Sequence, residues 1–163
     1  MSIKIKFGSI AGLLAGFWFI SQNFLGLYLT NFTKFNLLII FLLLFVAIYF
    51  SIVKTRDNEK GGFIEYRPAA GIGVTVSLLF SFILALFTYL FYKLNPENIE
   101  IVLDSQEKFF LSEGKSLQEI AVNRDYLRQN FAFSEGFTSF LSISIIGFIF
   151  SLIAAILLRR ESK

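Results

Sequence analysis

The 163-residue chain contains no cysteine and no histidine. Without cysteine there is no disulfide framework, no thiolate nucleophile and no thiolate-held metal. Without histidine the commonest general acid–base and the commonest metal ligand are both missing. Charge is scarce as well: 17% of residues are Asp, Glu, Lys or Arg, where a soluble domain carries about 25%. Proline occurs twice, and both copies, Pro68 and Pro96, stand where a helix would begin.

What is there instead is apolar. Hydrophobic residues make up 55% of the chain, 22 of them phenylalanine, and the mean hydropathy is +0.67. They fall into four runs free of any charged residue, at positions 7–33, 35–53, 68–92 and 136–158. A helix needs about 20 apolar residues to cross a hydrocarbon core about 30 Å thick, and each run is long enough. Little chain is left over for a soluble domain. The expectation is an all-α, polytopic membrane protein with one membrane domain over residues 1–163. Its spans are expected at about 7–30, 35–53, 69–92 and 136–158, with a helical loop at 95–133.

Lys4 and Lys6 precede the first run, which is too long for a signal-peptide core and has no small-residue cleavage site, so it reads as a retained span. Gly8, Gly12 and Gly16 recur every fourth residue, a spacing that lets a neighbouring helix come close. The same spacing returns as Gly73, Ser77, Ser81 and Ala85 in span three and as Gly147, Ser151 and Ala155 in span four. Span two has no such stripe and is expected to face lipid most, leaving spans one, three and four as the tight core. Residues 30–34 form a short connection that makes spans one and two a hairpin, and Asn31, Phe32 and Thr33 match a glycosylation sequon there.

The loop at 95–133 reads as two short amphipathic helices. Asn95 and Pro96 start the first, Gly114 stops it, and Ser116 to Glu119 is a capping box for the second. The carboxylate pairs Glu97/Glu100 and Asp104/Glu107 sit at helical spacing, which reads as a solvated face rather than a catalytic pair. No catalytic residue, metal ligand or cofactor is assigned, and an enzyme is not expected. All twelve carboxylates fall in loops or at the tail, which argues against an ion or proton path. A neutral-solute or lipid path along Gln22, Asn23, Ser77, Ser81 and Thr88 is the alternative.

Between spans two and three lies a basic hinge. Lys54, Arg56, Lys60 and Arg67 surround Gly61 and Gly62. With Lys4, Lys6, Arg159, Arg160 and Lys163 they put most of the positive charge on one side, while the 95–133 loop is net negative. The positive-inside rule then places both termini in the cytoplasm and the loop outside. The hinge cations read either as topology determinants or as a docking site for a partner or lipid headgroup, with Gly61 and Gly62 forming an anion nest. Expected partners are membrane lipids and other membrane subunits or a second copy; nucleic acid is not among them.

The stretch from Tyr49 to Gly73, with Arg56, Asp57, Gly61, Gly62, Phe63, Ile64, Tyr66 and Ala70 between, resembles a bacterial family of four-span membrane proteins known as domain of unknown function 4199. The likeness extends to the glycine-rich first span, to Asn95-Pro96-Glu97 and to the helix–Gly–helix loop, and so covers nearly the whole chain. It implies a bacterial inner-membrane location and supplies no catalytic residue. It also implies, as an alternative to a scaffold or accessory subunit, a part in lipid-linked sugar transfer.

Overall fold

Charge-free runs with no proline past their first residue leave the backbone one way to satisfy its polar groups in hydrocarbon, the helix. The computed structural model describes residues 2–27, 33–112, 114 and 116–160, and it is all-α. The helices are α1 (Ile3–Phe24), α2 (Thr33–Glu59), α3 (Tyr66–Leu94), α4 (Pro96–Ser112) and α5 (Leu117–Leu158). Four of them, all but α4, are long and apolar enough to cross a membrane. The 30–34 connection and the sequon lie largely outside the described residues.

Helix α3 is the axis of the bundle. α1 and α5 pack along it, with no close backbone approach to one another among the described residues, and α2 lies against all three. The α1–α3 contact is parallel and is built by the α1 glycines. A methyl group added at Gly8 would come within 3.1 Å of Leu79 Cβ, and one at Gly12 within 3.0 Å of Ile83 Cβ. The α3–α5 contact is antiparallel. Gly73 lies against Ser151 and Gly147 against Ser77. Ser81 and Ser144 share a hydrogen bond of 2.7 Å across the pair.

Helix α2 does not face lipid most. Of the four spans it has the largest buried share, 39%, and Leu44, Ile48 and Ile52 are fully buried. The reason is shape. Where α3 and α5 meet through Ser77 and Gly147 the surface is hollow, and the Leu44 side chain reaches it: a Cβ at Gly147 would lie 3.3 Å from Leu44 Cδ2. Large aliphatic residues can fill such hollows as well as small ones can create them.

The expectation of two separate loop helices holds for α4 alone. The second amphipathic segment is continuous with the fourth span in the 42-residue α5. At 1.5 Å per residue α5 is about 63 Å long, about twice the hydrocarbon core. No proline lies between 117 and 158, and its two glycines, Gly136 and Gly147, are too weak as breakers to end the helix. The side chains of 117–123, including Glu119 of the capping box, are outside the described residues.

Candidate functional site

At one end of the bundle, α2 continues past Val53 so that Lys54, Arg56 and Asp57 belong to its last turns. Gly61 and Gly62 then reverse the chain with φ of +60° and +88°, a region that side chains disfavour. The Gly62 N–H donates to the Arg56 carbonyl at 2.9 Å. That N–H is therefore committed within the chain and is not offered to an anion as the nest reading requires.

The hinge is held by a segment distant in sequence, the residues that follow α5. Ile64 and Arg160 form an antiparallel bridge, each N–H donating to the other's carbonyl at 2.9 Å. Beside it Arg56 is buried, only 8% exposed. Its Nε donates to Asp57 Oδ1 at 2.7 Å, and its Nη1 reaches the Leu158 carbonyl at 3.5 Å. Leu158 closes α5, so Arg56 places a cation at a helix C-terminus, where the dipole favours it.

Of the hinge residues singled out by sequence, Lys54, Lys60, Gly61 and Arg67 are exposed, Gly62 is half-buried and Arg56 is buried. Arg159 and Arg160, also exposed, join them through the bridge, and Lys6 at the start of α1 lies at the same end. The acidic groups among them are Asp57, Glu59 and Glu65. Arg56 thus holds the platform together, while the other cations are free of ion pairs among the described residues. Their sequence signal was visible as a charge cluster. The bridge to Arg160 was not, because nothing local to 54–73 points to the tail.

The opposite end carries a second charged assembly that sequence reading missed. Glu100, Asp104 and Glu107 lie on one face of α4, and Arg124 of α5 binds all three, at 3.0 Å to Glu100 and 2.6 Å to Asp104. Arg128, one turn on, adds a 2.7 Å bond to Glu100. The carboxylates are a clasp, not simply a solvated face. Beneath them Ile99 and Leu103 of α4 pack with Phe91, Tyr92 and Phe131 in a separate apolar cluster. The readable signal was the i, i+4 pair Arg124/Arg128 in an otherwise acidic segment.

Several polar residues inside the spans are satisfied within their own helices. Ser77, Ser151 and Thr88 donate to carbonyls one turn back, of Gly73, Gly147 and Leu84. Asn23 Nδ2 does the same to Phe19 O at 2.7 Å. An open groove of about 590 Å³ does exist, and none of the five residues proposed for a path lines it. Phe82, Ala85, Leu86 and Tyr89 of α3 face Phe133, Gly136, Phe137 and Phe140 of α5 across it. Of the packing residues named from sequence, Ala85 alone borders this groove; Gly16 lies against Phe87, and Ala155 is fully buried.

Four membrane-length helices, three of them packed around α3, with one short amphipathic helix clasped at one end, define a polytopic membrane protein. The chain belongs to the family described as protein of unknown function (DUF4199), whose model matches residues 6–160. No curated protein and no solved structure matches it.

Proposed function

We propose that this protein is a non-catalytic accessory subunit of a bacterial inner-membrane complex, docking its partner through the basic platform. The supporting observation is the Ile64–Arg160 bridge, which draws the hinge and the C-terminal end of α5 into one ordered surface. Exposed Lys54, Lys60, Arg67, Arg159 and Arg160 lie on that surface. In this reading both termini are cytoplasmic, following the positive-inside rule, and the partner offers an acidic cytoplasmic face. Complementary charge sets orientation and encounter rate more than raw affinity, which suits a subunit that is also held by the bilayer. The chemistry of the platform is electrostatic. It is carried by exposed lysine and arginine side chains.

The test is co-purification in mild detergent of the wild type and of a Lys60→Gln, Arg67→Gln variant. Both residues are exposed, so the fold should tolerate the change. A stoichiometric partner that is lost from the variant supports docking. A wild type that carries lipid and no protein contradicts it. Membrane topology must be unchanged, and single cysteines introduced into this cysteine-free chain report it directly.

A second reading, lipid handling, is favoured by the aromatic groove between α3 and α5.

A further inference from the structure

The groove has a graded construction. Ala85 and Gly136 make a narrow floor, where the helices approach closely enough that a methyl on Gly136 would lie 3.2 Å from the Ala85 carbonyl. Phe82, Leu86 and Phe137 rise around it and are exposed. From Phe82 to Tyr89 the slot follows the helix for about 10 Å, two-thirds of one leaflet of a core about 30 Å thick. Its volume, about 590 Å³, falls within the range of about 300–1,000 Å³ typical of small-molecule sites.

Lys93 stands at the mouth, one turn beyond Tyr89. Its ammonium donates to the Tyr89 hydroxyl at 3.0 Å and lies 5.3 Å from the centre of the Tyr89 ring. Among the described residues no carboxylate pairs with it. An ammonium has three donors, so two are left for a ligand. This is a cation fixed at the rim of an apolar slot that runs inward along a membrane-length helix.

We propose that this groove is a binding site for one phospholipid. The phosphate pairs with Lys93 and the Tyr89 hydroxyl, and one acyl chain lies in the slot against Phe82, Phe137 and Gly136. The charge on Lys93 selects a phosphate-bearing headgroup. The narrow floor selects a chain, since a partner helix about 10 Å across would ride on the phenyl rims without reaching Gly136. The site is at the α4 end of the bundle, opposite the basic platform, so it stands or falls independently of partner docking.

The test is native mass spectrometry of the full-length protein, released from mild detergent after incubation with equal amounts of phosphatidylglycerol and diacylglycerol of the same chains. The wild type should retain one phosphatidylglycerol in preference to diacylglycerol. Lys93→Gln should lower that retention about fivefold, the weight of one lysine at a membrane surface. Lys60→Gln, at the far end, should leave it unchanged. A phosphatidylglycerol with a photoreactive tail should label residues 133–140. Equal retention by wild type and Lys93→Gln would overturn the proposal. So would labelling spread over α1 and α2, or cross-links joining residues 133–140 of two copies.

Discussion

At the residue scale, the glycines divide sharply by what lies beside them. A Cβ at Gly147 would come 2.6 Å from the Ser77 hydroxyl, and one at Gly73 2.7 Å from Ser151 Cβ, whereas one at Gly71 would meet nothing within 4 Å. Forcing larger groups into packed contacts costs about 1–3 kcal/mol. Gly147→Leu should therefore lower the thermal unfolding midpoint in detergent markedly, while Gly71→Ala should leave it unchanged or raise it. Equal effects of the two would show that α3 and α5 do not meet at Gly147. Arg56 makes a second residue-scale case. Arg56→Gln should speed amide exchange at Ile64 and Arg160, because the buried cation that supports their bridge is lost. The two bridge hydrogen bonds are worth only about 0.5–1.5 kcal/mol each, so the loss should be local and leave the spans protected.

At the element scale, the clasp explains why α4 stays against the bundle. Single exposed ion pairs contribute about 0.2–1 kcal/mol, but Arg124 serves three carboxylates at once. Arg124→Gln should release α4 and speed trypsin cleavage after Lys108 several-fold, whereas Asp104→Asn, which leaves Glu100 and Glu107 in place, should have a smaller effect. The helices themselves were legible in the sequence because charge-free length is a strong signal. The ends of α4 were legible too: Pro96 is its first residue, the Asn95 backbone carbonyl accepts from the Asn98 N–H at 3.1 Å, and Gly114 has φ of +81°. The continuity of α5 was not, since a start signal at Ser116 says nothing about where the helix stops. The placement of α2 was also hidden, because in a membrane core and lipid are equally apolar and composition alone cannot separate the two. The platform was half legible. Its lysines and arginines form a visible cluster, but Arg56's burial depends on Leu158, 102 positions away.

At the scale of the whole molecule, the two ends differ in kind. One carries exposed cations on a surface closed by the tail, and the other carries a self-satisfied acidic clasp above an aromatic groove. The positive-inside rule then predicts that a cysteine at position 60 is shielded from membrane-impermeant reagents in intact cells, while one at position 104 is labelled. The proposed engagement of an acidic partner by the cationic end is open to direct test. The most direct measurement is quantitative affinity purification from mild detergent, comparing the wild type with Lys60→Gln, Arg67→Gln at matched expression and unchanged topology. One stoichiometric membrane partner is expected with the wild type, reduced severalfold in the variant and weakened by added salt. A partner retained equally by both, or a wild type that carries only lipid, would contradict it.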